Sequence, residues 1–98
     1  MGRYHRKKPA SLHEKLLKIR EGLGLSQNEM IRHLGLESEI TQSRISGYEL
    51  GTREPSLPTL LLYARTANVY VEVLIDDSLD FEEGAIPYAT KSEGIKRL

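Results

Sequence analysis

The chain of 98 residues has no cysteine, no tryptophan, one phenylalanine and no net charge. Without cysteine, neither a disulfide framework nor a thiolate metal site can form. No stretch approaches the roughly 18 apolar residues of a membrane-spanning helix, and the N-terminus lacks the apolar run of a signal peptide. We therefore expect a cytoplasmic protein. We also expect a single domain, since a chain near this size buries only about 60 to 65% of its unfolded surface.

Residues suited to catalysis or metal binding are few and scattered. The three histidines, His5, His13 and His33, include no pair four residues apart and have no cysteine partners, so we expect no metal site. Asp76, Ser78, Asp80 and Glu82 stand at alternate positions, as at the start of a calcium-binding loop, but the sixth position is Phe81 and not glycine. We accordingly expect no catalytic residues, so the protein should not be an enzyme, and we expect no cofactor.

The charges are unevenly distributed although they sum to zero. Residues 1–53 contain ten basic and six acidic side chains, whereas residues 54–98 contain four basic and eight acidic ones. A phosphate backbone is attracted by the local field and not by the net charge, so the first half could still bind a polyanion. The basic side chains at its start could equally serve only to keep a flexible end solvated; they are Arg3, Arg6, Lys7 and Lys8.

Sequence signals for helix starts recur along residues 11–75. Ser11 and Ser26 are each followed three residues later by a glutamate, which is the capping-box pattern. Thr41 and Ser56 are expected to begin two further helices. The first three helices should end at glycines, namely Gly24, Gly35 and Gly51.

Apolar residues at helical spacing follow each of these starts. We expect the inward-facing side chains to be Leu12, Leu16, Ile19 and Leu23, then Met30, Ile31 and Leu34, and then Leu57, Leu60, Leu61 and Ala64. Residues 69–75 are ambiguous, because their valines also alternate as in a strand. A lone strand would have nothing to pair with.

The most specific pattern lies between residues 26 and 57. Gln27 follows a helix cap, and Gly35 ends that helix. The motif continues with Ile40-Thr41, then Ile45-Ser46-Gly47-Tyr48-Glu49-Leu50-Gly51, then Arg53-Glu54-Pro55-Ser56-Leu57. In this order the residues resemble the XRE family of helix-turn-helix proteins, which includes the phage repressors and Cro, and the likeness covers about residues 11–75.

The resemblance implies a fold and a division of the chain. It implies an all-α, compact, five-helix repressor-like helix-turn-helix domain at residues 11–75. Outside the range of the resemblance, the charge and composition of the chain indicate a basic N-terminal arm at residues 1–10 and an irregular tail at residues 76–98, which could be disordered, pack back on the last helices, or seal a dimer. The fifth helix would be short, with Val71, Leu74 and Ile75 facing inward.

The resemblance also assigns roles to single residues. The helix that begins after Thr41 would enter the major groove, with Gln42, Ser43, Arg44 and Ser46 reading bases. Arg44 could bind guanine O6 and N7, and Gln42 could bind adenine N6 and N7, although both would also suit an ordinary solvated helix start. The phosphate contacts would come from Gln27, Thr41, Thr52 and Arg53. Apart from the resemblance, basic N-terminal arms of other DNA-binding domains bind DNA, so Arg3, Arg6, Lys7 and Lys8 could add contacts to the phosphate backbone or the minor groove.

Three further positions matter by the same resemblance. Arg20 and Glu49 would form a largely buried structural ion pair that fixes the recognition helix. The turn at residues 36–39 is about four residues longer than usual, which places two acidic side chains near the expected phosphates. Ile31 stands where the family usually has alanine, so added bulk could alter the angle between the two helices.

Two functions of different class remain open from the sequence. The first is a sequence-specific DNA-binding transcriptional regulator, most simply a repressor, that binds a palindromic operator in double-stranded DNA as a homodimer. The second is a protein-interaction module, such as an antitoxin or a bridging cofactor, that docks a protein partner through its acidic C-terminal half. No membrane partner is expected.

Overall fold

A computed structural model describes residues 9–81, and these residues form five helices. The helices are α1 (Leu12–Leu23), α2 (Gln27–Leu34), α3 (Gln42–Leu50), α4 (Leu57–Ala67) and α5 (Val71–Ile75). No strand occurs within the described part of the chain, so the ambiguous valine segment is helical and the all-α prediction is confirmed. Residues 1–8 of the predicted arm and residues 82–98 of the predicted tail lie outside the described residues.

The ends of α2 and α4 follow the local signals. The Ser26 hydroxyl accepts from the Glu29 N–H at 3.1 Å, and the Glu29 carboxylate accepts from the Ser26 N–H at 2.8 Å, which completes the predicted capping box. Ser56 caps α4 in the same way, accepting from the Thr59 N–H. The three terminating glycines are confirmed, since each adopts a positive φ that other residues adopt only with strain; they are Gly24, Gly35 and Gly51.

The predicted capping box of α1 is wrong. Ser11 precedes the helix but makes no side-chain cap bond; its hydroxyl donates instead to Asp77 Oδ1 at 3.0 Å. Asp77 also accepts from the backbone N–H groups of Ala10 at 2.8 Å and Ser11 at 3.1 Å. A carboxylate from the distant end of the domain therefore satisfies donors at the start of α1. Thr41 likewise begins α3 without a cap bond, since its hydroxyl pairs with that of Ser43.

The core lies where the five helices meet. Its fully buried members come from every helix: Leu16, Ile19, Met30, Ile45, Tyr63 and Leu74. The predicted inward-facing residues of α1 and α2 lie in or against this core. Ile31 is 6% exposed and therefore fits between the helices despite its bulk.

The predicted inner face of α4 is partly wrong. Leu60 and Ala64 are buried, but Leu57 is 76% exposed and Leu61 is 40% exposed. Tyr63 and Ala67 complete the buried stripe. Successive helical residues are rotated by about 100°, so a helix that turns Leu60 inward turns Leu61 away. In α5, similarly, Leu74 is fully buried whereas the predicted inward residue Ile75 is 41% exposed.

A buried lysine, which the sequence analysis did not single out, fixes the segment after α5. Lys15 is 3% exposed, and its ammonium donates to the carbonyls of Val73 at 2.7 Å, Asp76 at 3.1 Å and Leu79 at 2.8 Å. Phe81 is partly buried and packs against the core. The start of the predicted tail is thus packed on the domain, with α1 as its main support.

Candidate nucleic-acid interface

The first turn of α3 is open to solvent on one side and anchored on the other. Gln42, Ser43 and Arg44 are all exposed. Ile45 is fully buried, and Tyr48 is 3% exposed, so the opposite face of the helix is fixed in the core. The first turn of α3 therefore presents outward three of the four side chains that the family resemblance assigns to base reading.

The long turn before α3 does not cover this surface. Leu36 is 7% exposed and packs in the core, while Glu37, Ser38 and Glu39 are exposed. The Leu36 carbonyl accepts from the N–H groups of Glu39 at 2.9 Å and Ile40 at 3.1 Å. The added residues thus form a compact turn closed on Leu36, which leaves Gln42 and Arg44 accessible.

Arg20 and Glu49 form a bidentate ion pair between α1 and α3. Arg20 Nε donates to Glu49 Oε2 at 2.6 Å, and Arg20 Nη2 donates to Oε1 at 3.0 Å. The side chains are 17% and 5% exposed. The hydrogen bond to Glu49 raises the pKa of Arg20 above its ordinary value, so the guanidinium stays charged at neutral pH. Arg20 Nη1 also donates to the Leu25 carbonyl, which links the pair to the start of α2.

A chain of hydrogen bonds leads from this ion pair to the surface. Gln27 Nε2 donates to Glu49 Oε1 at 3.0 Å. Gln42 Nε2 donates in turn to Gln27 Oε1 at 3.1 Å. The side chain of Gln27 therefore holds Gln42 in place, a contact between residues 15 positions apart that the sequence analysis did not foresee.

The loop after α3 folds back onto that helix. The Gly47 carbonyl accepts from the N–H groups of Thr52 at 3.0 Å and Arg53 at 3.1 Å, and from the Thr52 hydroxyl at 3.4 Å. Thr52 and Arg53 are exposed. A cleft of about 270 Å³ lies between this loop and the start of α1, with Arg53 on one wall and Pro9 and Ala10 on the other.

The other predicted site residues differ in how much the structure says of them. Thr41 is exposed at the start of α3, and Ser46 is half-buried one turn further along the helix. The basic residues of the arm lie outside the described residues: Arg3, Arg6, Lys7 and Lys8. No cluster of three or more potential metal ligands occurs within residues 9–81. None of the helices in that range is long and apolar enough to span a membrane.

The family assignment agrees with this geometry. The sequence model of a helix-turn-helix family matches residues 16–74, which include the exposed helix, the ion pair and the loop behind them. The chain belongs to the XRE-type helix-turn-helix family. It is therefore a DNA-binding regulator in the general sense. Neither a curated protein nor a solved structure matches the chain.

Proposed function

We propose that this helix-turn-helix protein is a sequence-specific transcriptional regulator that inserts the first turn of α3 into the major groove. The observation that carries the proposal is the exposure of Gln42, Ser43 and Arg44 at the start of a helix whose other face is buried. The major groove is wide enough to admit such a helix and displays a distinct hydrogen-bonding pattern for each base pair. The first turn of α3 carries no acidic residue that would repel phosphates.

The hydrogen bonds at Gln42 suit adenine. One of its two amide hydrogens is used by Gln27, which leaves one donor and the amide oxygen free. Adenine N7 accepts one hydrogen bond and N6 donates one, so the free groups match. The chain from Arg20 through Glu49 and Gln27 would hold the amide in that orientation before DNA arrives. Arg44 is free to bind guanine O6 and N7, and Ser43 and Ser46 are the smaller polar groups beside it.

Phosphate contacts would flank this surface. Gln27 is the first residue of α2, so its backbone N–H points outward from the positive end of a helix, while its side chain supports Gln42. Thr41 and Thr52 are exposed residues at the two ends of α3, and the Thr52 hydroxyl would exchange its 3.4 Å hydrogen bond to the Gly47 carbonyl for one to a phosphate. The arm with Arg3, Arg6, Lys7 and Lys8 would join them, because its root at Pro9 faces the loop after α3 across the cleft.

We further propose that the protein acts as a homodimeric repressor on a palindromic operator. A nine-residue α3 can contact only a few base pairs, and two copies on half-sites one DNA turn apart would double the sequence read. A bound dimer would block polymerase by occupancy alone. Such a role agrees with the predicted cytoplasmic location. The alternative of docking a protein partner through the acidic C-terminal half is less favoured, because Phe81, an apolar residue of that half, packs against the core.

Selection of bound sequences from a random duplex pool tests this function. The wild-type chain should enrich a two-fold symmetric consensus, and its affinity should fall steeply with salt. Arg44→Ala and Gln42→Ala should each lose preference at one base position, whereas Arg65→Ala, which removes an exposed charge from α4, should not. Light scattering should find two chains per duplex. Recovery of no consensus would refute the proposal, and complexes of one chain per duplex would refute the dimer.

A further inference from the structure

The second turn of α3 contains Gly47, which is buried although the first turn of the helix is exposed. Gly47 follows Ser43 by four residues and Arg44 by three, so it shares their face of the helix. A Cβ atom at Gly47 would lie 2.9 Å from Arg53 Cγ and 3.2 Å from Arg53 Cβ. The space that a side chain at this position would need is therefore already filled by the stem of Arg53.

The loop is held in this position by the backbone. The Gly47 carbonyl accepts from the N–H groups of both Thr52 and Arg53, so the loop and the helix are joined at the same residue. The absence of a side chain at Gly47 is what allows this close approach. Arg53 itself is exposed, and its guanidinium has no hydrogen bond or ion pair among residues 9–81. Within the described residues, a cation without a partner is thus attached to the face of the helix that carries Ser43 and Arg44.

We propose that Arg53 supplies the base-reading side chain that position 47 lacks, and that it is a determinant of operator specificity. The inference rests on the proposed function, namely insertion of α3 into the major groove. The planar guanidinium can donate two hydrogen bonds to O6 and N7 of one guanine, next to the bases read by Gln42 and Arg44. The family resemblance assigns Arg53 to phosphate, but its stem lies on the recognition helix itself.

Conservative substitution separates the two roles. Arg53→Lys keeps the charge and loses the planar fork, and Arg53→Ala loses both. If Arg53 reads a base, selection with Arg53→Ala should lose the preference for guanine at one position by ~5- to 150-fold, and Arg53→Lys should weaken the preference at that same position; both should keep the rest of the consensus. If Arg53 binds only phosphate, Arg53→Lys should keep the whole consensus, and Arg53→Ala should weaken all sequences equally with a shallower salt dependence. That second result would overturn the inference.

Gly47→Ala tests the contact with the stem directly. The added methyl group should displace the Arg53 stem, so the same guanine preference should weaken as in Arg53→Lys. Alanine is a better helix former than glycine, and an unchanged melting curve should show that the domain remains folded. An unaltered consensus in Gly47→Ala would contradict the proposed seating of Arg53. Arg65→Lys serves as the control for the change in basic side chain.

Two further comparisons distinguish failure of this inference from failure of the function. If Arg44→Ala loses its base position while Arg53→Lys changes none, insertion of α3 stands and only the role of Arg53 is refuted. If the wild-type chain selects no sequence, the proposed function and the inference fail together.

Discussion

Replacing Glu49 by glutamine tests the ion pair that joins α1 to α3. The amide has the size of the carboxylate, so no cavity forms, but one of the two acceptor oxygens becomes an N–H donor facing Arg20. Two charge-assisted hydrogen bonds, at 2.6 and 3.0 Å, are lost or weakened. Each of these hydrogen bonds is worth about 1.5–3 kcal/mol, and Arg20 keeps 17% of its side-chain exposure, so water can partly replace the lost acceptor. We expect the free energy of unfolding to fall by about 3 kcal/mol.

Urea unfolding followed by circular dichroism measures this loss at neutral pH. About 3 kcal/mol is a large fraction of the 5–15 kcal/mol that usually stabilises a domain. Glu39→Gln is the matched control, since that exposed side chain has no hydrogen bond within residues 9–81, and it should change stability by less than about 0.5 kcal/mol. The double variant Arg20→Met/Glu49→Gln should lose less free energy of unfolding than the two single variants lose in sum. A Glu49→Gln protein as stable as the control would refute the reasoning.

Three further predictions concern stability. Lys15→Met should cost about 2–4 kcal/mol in urea unfolding by leaving three carbonyls without their donor, and an effect no larger than that of exposed Lys18→Met would contradict it. Hydrogen bonds from the backbones of Ala10 and Ser11 lower the pKa of Asp77 below 3.8, so its stabilisation is present above pH 3.8 and lost as the pH falls through the lowered value. The gap in urea midpoint between wild type and Asp77→Ala should therefore narrow in that acid range, and a gap independent of pH would exclude the charge as its cause. Gly51→Ala and Gly35→Ala should each cost about 1–2 kcal/mol, because both place alanine at a positive φ. Gly51→Ala should lower the free energy of unfolding in urea further, because its methyl group alone would lie 3.3 Å from His13 Cγ. Equal losses of stability in the two variants would contradict this.

Features decided within a few residues could be predicted from the sequence. The capping box at Ser26, the cap at Ser56 and the three glycine ends depend on contacts across one helical turn, so the residues that make them are adjacent in the printed chain. The exposed first turn of α3 could be predicted for a similar reason, because polar side chains there follow Thr41, where the helix was expected to begin, and precede the buried Ile45. The pairing of Arg20 with Glu49 spans 29 positions, and only the family resemblance pointed to it.

Features that join distant residues could not be predicted in this way. Asp77 takes over the start of α1 from a position 67 residues beyond Ala10, and Lys15 binds carbonyls about as far away. No residue adjacent to Asp77 or Lys15 in the sequence indicates these contacts. At Ser11, the complete local capping pattern predicts a different partner. The buried face of α4 could not be predicted correctly because residues 60–62 are all leucine, and three identical residues in a row do not show which of them faces the core.

A methylation-interference footprint on the selected operator tests most directly whether the first turn of α3 enters the major groove. Dimethyl sulfate modifies guanine at N7 in the major groove and adenine at N3 in the minor groove. We expect guanine N7 methylation to block binding of the wild-type chain at two places about one DNA turn apart, and Arg44→Ala to become insensitive at one guanine in each. Interference confined to adenine N3, or a pattern that Arg44→Ala leaves unchanged, would contradict the account.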